Sequence, residues 1–263
     1  MGVFEIIVII SLVVLIALAI KTNQVLPGKT DLVENQVKPN ATEVKGNLTM
    51  DEQSLLEKIE PNLRGSLPIR TLREILAISH VNHAKKLEYF LFDLFNYAGY
   101  QARKTDDQYD GGRDVEVTVD GTMYWIEAKI KYLKTREMIN TLTIQKLHSV
   151  ITKHNHENND QVKGVLITTH FVKYEARKYA HEVGIEMIDR KGLFELVKKV
   201  DPALLGDVTW EQDKKENFST CEECGSFKIP NKSKEYGEFD GCVNYSAMAD
   251  SCIGILPELK VEA

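Results

Sequence analysis

Hydrophobic positions follow several regimes along the chain. From Val3 to Ile20 they are nearly continuous, VFEIIVIISLVVLIALAI, broken only by Glu5 and Ser11. As a helix these eighteen residues span about 27 Å, close to the hydrocarbon thickness of a bilayer, which predicts a transmembrane helix over 3–20. Ala17, Leu18 and Ala19 form the A-x-A pattern of a signal-peptide cleavage site, but no Lys or Arg precedes the run as a signal peptide requires, so an uncleaved anchor is favoured. Residues 21–50 are polar, carry Pro27, Gly28 and Pro39 and show no sustained apolar period, which predicts a flexible linker. In 51–79 two short helical patterns, Leu55-Leu56-Ile59 and Leu72-Ile75-Leu76, are separated by Pro61, Gly65 and Pro68 and predict a small helical lead-in.

From about residue 80 the spacing predicts a longer helix with Leu87, Phe90, Leu91, Leu94 and Phe95 on one face and a stop at Gly99. The period then changes from helical to alternating. Strands are predicted in 100–105 and on both sides of Asp120-Gly121, followed by a helix from about Glu137 to His154. A strand GVLITTH over 164–170, a helix over 173–183, a short strand over 185–189 and a helix over 193–200 complete the pattern. Strands alternating with helices indicate an α/β domain over 80–205, its sheet largely parallel after the first hairpin. The apolar stretch Val165–Thr168 suits a buried central strand.

Asp120-Gly121 is a preferred two-residue hairpin loop because both positions of a type I′ turn need positive φ. The turn sets Val119 against Thr122 and, with the register continued, Asp114 directly opposite Glu127 with Lys129 on the same face. Val115, Val117, Val119, Tyr124, Ile126, Ala128 and Ile130 share the other face and read as core. Carboxylates facing one another across strands are destabilising unless something offsets them. A hard divalent cation would do so, since Mg²⁺ takes one or two protein carboxylates and keeps several waters, and an adjacent lysine could orient its water. The alternative from spacing alone is a solvated outer face whose charges are offset by Lys129, Lys131 and Arg113.

Net charge at first disfavours nucleic acid as a partner: 33 Lys and Arg against 39 Asp and Glu give −6. Resolved by segment, the sum is −1 over 1–79, +2 over 80–200 and −7 over 201–263, and all seven histidines lie in the middle segment. The acidity belongs to the tail, and the objection to a DNA-facing middle domain lapses.

Asp114 with Glu127-Ala128-Lys129 matches the D…(D/E)-x-K signature of the PD-(D/E)xK nuclease superfamily, and the surrounding chain resembles the Mrr-type restriction endonuclease domain. KKLEYFLFDLFNYAGYQA is similar to that family's first helix, with Glu88 at its helix glutamate. Asp110 to Asp114 stand at its D-x-G-x-D turn, and GVLITTHFVKYEARKYAHEVGIEMID is similar to its buried strand, Thr-rich turn, Ala-bearing helix and Ile-Asp strand end. The resemblance implies a restriction-endonuclease-like mixed sheet flanked by helices, a DNA substrate and a catalytic Mg²⁺ or Mn²⁺. It further implies Asp114 and Glu127 as metal ligands, Lys129 as the residue that positions or activates water, and Glu88 reaching toward the metal. Many members carry Gln where this chain has Glu127; a carboxylate is the better cation ligand, so the departure does not argue for inactivity. Gln145 sits near a position where some superfamily members have a functional glutamine. Lys131, Lys134 and Arg136, just past the site, are candidate DNA phosphate contacts.

The four cysteines all lie in the tail: Cys221-x2-Cys224, seventeen residues, then Cys242-x9-Cys252. Some 200 cysteine-free residues ahead of them argue against a disulfide scaffold, and two late clusters suit a closed tetrahedral structural Zn²⁺ site. The segment 221–252 resembles the topoisomerase-type C4 zinc ribbon, with Cys252 the least regular ligand by spacing. Such ribbons bind single strands through basic and aromatic side chains, here Phe227, Tyr236, Phe239 and Tyr245, yet Lys228, Lys232 and Lys234 face six acidic residues. A protein partner is therefore a rival to DNA for this segment. Lys21 and Lys29 after the apolar run and Glu5 within it place the body of the protein in the cytoplasm by the positive-inside rule. The sequence thus predicts a single-pass membrane-tethered, metal-dependent DNA endonuclease in restriction or DNA processing, with a C4 ribbon over 206–263. The other class is a non-catalytic nuclease-fold membrane protein that binds DNA or protein, and homodimerisation is open in both.

Overall fold

The computed structural model of the chain describes residues 54–78, 85–105, 112–133, 138–158, 161–233, 237–245 and 252. The predicted anchor over 3–20 and the linker over 21–50 lie outside the described residues. Among the described residues no helix is long and apolar enough to cross a membrane.

Two short capped helices come first, α1 (Leu55–Lys58) and α2 (Leu72–Leu76), each opened by a capping box, Ser54 with Glu57 and Thr71 with Glu74. Helix α3 (Lys85–Tyr97) buries the predicted stripe Leu87, Phe90, Leu91, Leu94 and Phe95. Strands β1 (Gln101–Lys104), β2 (Val115–Val119) and β3 (Thr122–Lys129) form an antiparallel meander. Helix α4 (Thr141–Asn158), β4 (Val162–Thr168), α5 (Tyr174–Glu182), β5 (Glu186–Ile188) and α6 (Arg190–Val200) follow. The sheet order is β1-β2-β3-β4-β5, antiparallel across β1 to β3 and parallel from β3 to β5. This is the predicted hairpin followed by parallel strands, an α/β mixed sheet of the restriction-endonuclease type.

The Asp120-Gly121 turn has φ of +49° and +76°, as its type demands, and β2 and β3 pair in the register it dictates, Val119 with Thr122 through Val115 with Ile126. Beyond Val115 the register departs from expectation. The Asp114 N–H donates to the carbonyl of Ile126 at 2.8 Å, so Asp114 and Val115 both address Ile126 and the ladder does not continue to a directly opposed Asp114–Glu127 pair.

Both faces of the sheet are covered. One core holds Val115, Val117, Val119, Tyr124, Ile126, Ala128, Val165 and Ile167 against α3 and α6, and it includes Leu55, Ile59, Leu72 and Ile75 of the lead-in. The opposite core holds Trp125 and Leu166 against Ile144, Leu147 and Ile151 of α4 and Ala176 and Ala180 of α5. The charged face of the hairpin is therefore not an outer solvated face: Glu116 and Glu127 are buried within it.

Helix α4 begins at Thr141 rather than Glu137, because Ile139 makes a parallel bridge with Val172 and extends the chain there. Helix α6 begins three residues early, where the Asp189 carboxylate accepts the Gly192 N–H as N-cap. After a 3-10 turn (Pro202–Leu205) comes α7 (Trp210–Asn217), which the apolar pattern does not predict. Its signal was the capping box Thr209-x-x-Gln212. Strands β6 (Ser219–Thr220), β7 (Phe227–Ser233) and β8 (Gly237–Cys242) form a separate three-stranded antiparallel sheet.

Candidate functional site

Asp114, Glu127 and Lys129 converge where β2 begins and β3 ends. Alternation along β3 turns Glu127 and Lys129 toward the α4 face, while Tyr124, Ile126 and Ala128 hold the strand in the core behind them. Asp114, having left the ladder, uses its carboxylate to accept the Ala128 N–H at 2.6 Å, which fixes it against the residue between Glu127 and Lys129. The Lys129 ammonium forms an ion pair with Glu127 Oε1 and lies 3.9 Å from Asp114 Oδ2. Burial pulls the Lys129 pKa down, but the charges of Glu127, Asp114 and Glu88 outweigh it and hold the pKa above the ordinary lysine value. Lys129 is thus an ammonium at neutral pH and acts as a fixed positive charge.

Glu88, in the first turn of α3, contributes to the field on Lys129 and lies 4.0 Å from the Lys104 ammonium, which in turn sits 3.3 Å over the Tyr89 ring. Glu116 faces the same side but is taken by Arg103 and Arg113, the latter at 3.4 Å and stacked over Trp125. An arginine-paired carboxylate is a poor metal ligand, which separates Glu116 from the other acids.

Gly112 borders Glu127. With φ of +92° it adopts a conformation that favours glycine, and a Cβ there would stand 2.9 Å from Glu127 Oε2. The missing side chain lets the backbone pack against that buried oxygen, and beside it lies an open cavity of about 820 Å³ lined by Gly112, Glu127, Lys129, Asn140, Gln145 and Lys146. Gln145, one turn into α4, is thereby brought to the site. Two carboxylates with an ammonium between them, beside an open cavity, fit a small hard cation that keeps several waters. Lys131 follows directly, its backbone N–H donating to Thr169 Oγ1 at 3.0 Å; Lys134 and Arg136 lie outside the described residues.

The Thr-rich turn named in the sequence carries this end of the sheet, a role that its residues alone do not announce. Thr168 Oγ1 donates to the Lys129 carbonyl at 2.8 Å, and Arg190, itself buried, donates to the Thr169 carbonyl at 2.9 Å and pairs bidentately with Asp213 at 2.6 and 2.7 Å. His170 is fully buried in the turn, and its Nδ1 accepts the Phe171 N–H at 2.7 Å. Burial first, then the Arg190 guanidinium, lowers its pKa from 6.5 to about 4. A depressed histidine is neutral in the fold and protonates more readily in the unfolded chain. Its contribution is complete above pH 6.5 and is lost as pH falls toward 4, up to about 3 kcal/mol. Urea unfolding from pH 7 to 4.5 is expected to show this slope, and His170→Asn, which keeps an acceptor but does not titrate, should flatten it.

The four cysteines gather in the small sheet, their sulfurs all within 4.8 Å of one another. Sγ atoms of Cys224 and Cys242 are 3.5 Å apart and those of Cys221 and Cys252 3.8 Å. A tetrahedral ZnS₄ centre with bonds of about 2.3 Å has sulfur edges of about 3.8 Å, so the donor set fits zinc. Burial raises the Cys221 thiol, but backbone N–H groups of Cys224 and Glu223 and the neighbouring sulfurs overcome it and lower the pKa to about 7, while burial drives Cys242 upward. The aromatic residues expected to stack on nucleic acid are divided: Phe227 packs inward against Phe171, Phe218 and Trp210, Tyr245 is about half exposed, and Tyr236 lies outside the described residues.

No curated protein matches the chain. Among solved structures, the protein of unknown function AF1548 is 19% identical over 42% of this chain and 63% of its own, with a TM-score of 0.36. A repair endonuclease from Pyrococcus abyssi is 15% identical over 42% and 46%, TM-score 0.31, and the restriction endonuclease FokI is 16% identical over 55% and 29%, TM-score 0.36. The chain therefore spans less than two thirds of the length of each. At these scores they add nothing to the fold, which rests on the topology above and on the match of a family model described as restriction endonuclease, the Mrr catalytic domain. Residues 80–197, somewhat less than half of the chain, are similar to the catalytic domain of the Mrr-type restriction endonucleases.

Proposed function

We propose that the protein is a membrane-tethered DNA endonuclease that hydrolyses phosphodiester bonds with a divalent cation, Mg²⁺ or Mn²⁺, held by Asp114 and Glu127. The observation that carries this is the Lys129 ammonium between Glu127 and Asp114, at the mouth of an open cavity. The cation would supply Lewis-acid stabilisation and lower the pKa of a bound water. Asp114 is held for this by the Ala128 N–H, and Glu127 stands in the wall of the cavity, packed against Gly112. Lys129 supplies positive charge to the phosphate as negative charge develops, the preorganised electrostatic role. Glu88 tunes the field on Lys129, and Gln145 lies where it can orient a substrate group. The four thiolates hold a structural Zn²⁺, a closed set with no open position for catalysis. Residues 3–20 anchor the chain with its body in the cytoplasm.

Cleavage of plasmid DNA by the full chain with Mg²⁺, and its loss in Asp114→Ala, tests the proposal; unchanged cleavage in that variant contradicts it. Retained DNA binding with no cleavage by the parent chain would favour a non-catalytic binder. Lys131, Lys134 and Arg136 act on phosphates without reading bases. Each substitution to Ala is expected to lower the slope of log affinity against log salt by about 1, equally for unrelated sequences, as measured by fluorescence anisotropy.

A further inference from the structure

We propose that the cysteine-bearing sheet is an internal buttress for the catalytic end of the nuclease sheet, and that metal loading of its thiolates keeps the Thr168–Phe171 turn ordered. This rests on the zinc assignment made above. The sheet presents its apolar side to the nuclease domain: Phe171 of the turn, Ile229 of β7 and Val243 after Cys242 form one buried cluster, joined by Trp210, Phe218 and Phe227. Phe171 stacks on Phe227 with centroids 5.6 Å apart and meets Phe218 edge-on at 5.1 Å. Val243 donates its N–H to the Phe227 carbonyl at 2.9 Å, and the next residue, Asn244, accepts a hydrogen bond from Arg177 of α5.

The same turn is fastened to the catalytic strand. Thr168 Oγ1 and the Thr169 N–H both donate to the Lys129 carbonyl, at 2.8 and 3.2 Å, and Thr169 Oγ1 exchanges hydrogen bonds with the backbone of Lys131. On its other side the Phe171 carbonyl accepts the Ile139 N–H at 3.1 Å, which positions the entry to α4 and its cavity-lining residues. Phe171 is thus a shared support: one side of it touches the cysteine sheet, and the backbone around it holds Lys129, Lys131 and Ile139.

A three-stranded sheet whose buried side amounts to Ile229, Val243 and part of Phe227 has too little core to stand without a crosslink. Metal binding by a site that does not preexist in the unfolded chain is itself folding free energy. Removing the metal should therefore release the sheet, strip Phe227 from Phe171 and loosen the turn. A role for the tail as a DNA clamp fits less well, since Phe227 is spent inside and Lys228 is paired with Glu222 at 2.7 Å.

The test is hydrogen–deuterium exchange on the full chain in detergent micelles, zinc-loaded, chelator-stripped and reloaded, with zinc content measured in each state. We expect one zinc per chain, and on stripping an exchange at least about tenfold faster in Thr168–Val172 and Lys129–Leu133 as well as in 219–245, reversed by zinc. Residues 193–200 of α6 should be unchanged. Phe171→Leu in the zinc-loaded chain should loosen Lys129–Leu133 while keeping zinc. Absence of bound zinc would overturn the metal assignment and the buttress together. Zinc bound with faster exchange confined to 219–245 would overturn the buttress alone, and neither result depends on whether the chain cleaves DNA.

Discussion

A fragment that starts at residue 80, where the match to the family begins, will fail to fold, whereas one that starts at residue 50 will melt cooperatively. Leu55, Ile59, Leu72 and Ile75 are each fully buried in the core that backs β2, β3 and β4. Burying a side chain of this size is worth roughly 1.5–3 kcal/mol, so the four together contribute about 6–12 kcal/mol, comparable with the whole stability of an ordinary domain, about 5–15 kcal/mol. Polar ties add to this. The half-buried Glu186 carboxylate at the edge strand β5 accepts the Leu55 N–H at 2.7 Å, and Lys199 of α6 donates to the carbonyls of Leu56 and Glu57 at 2.8 Å each. Removing 50–79 would strip Glu186 of those donors and expose the core that Leu55, Ile59, Leu72 and Ile75 now cover. Circular dichroism melts of the two fragments decide it: a cooperative transition of the shorter fragment within a few degrees of the longer one would refute the prediction.

Lys129→Ala is expected to reduce cleavage by at least about a thousandfold, equivalent to about 4 kcal/mol of transition-state stabilisation. The variant removes the charge between Glu127 and Asp114 while Thr168 and Thr169 still hold the backbone carbonyl of residue 129. The strand end should therefore survive and the defect should fall on turnover. Lys129→Arg separates two roles. An arginine keeps the positive charge but not the compact ammonium geometry, so partial activity would support charge stabilisation. Single-turnover cleavage rates provide the measurement.

Much of this end of the sheet could be read from the residues. Asp120-Gly121 determined the hairpin register, and the alternation beyond it sorted Ile126 and Ala128 from Glu127 and Lys129. Local turn chemistry carries that information. Asp114 was placed at the right strand end but in the wrong relation to Glu127, because a side chain that captures a backbone N–H, here that of Ala128, can replace the ladder, and hydrophobic period is blind to it. Spacing alone leaves a solvated outer face open as an alternative, and the structure closes it because α4, the next element after β3, folds back over that side of the sheet. Helix α7 escaped notice since its one large apolar residue, Trp210, contacts aromatics from three other segments. The seat of the cysteine sheet on Phe171 is likewise a tertiary fact, carried by side chains more than fifty residues apart in sequence.

The most direct measurement of the central claim is Mg²⁺-dependent nicking of supercoiled DNA by the full chain beside Glu127→Gln. The substitution keeps the side-chain shape and removes one negative charge from the proposed cation site. Nicking by the parent chain, abolished by chelation and lowered at least about a hundredfold in Glu127→Gln with partial recovery at high Mn²⁺, is the result the geometry predicts. Equal nicking by the two proteins would contradict it.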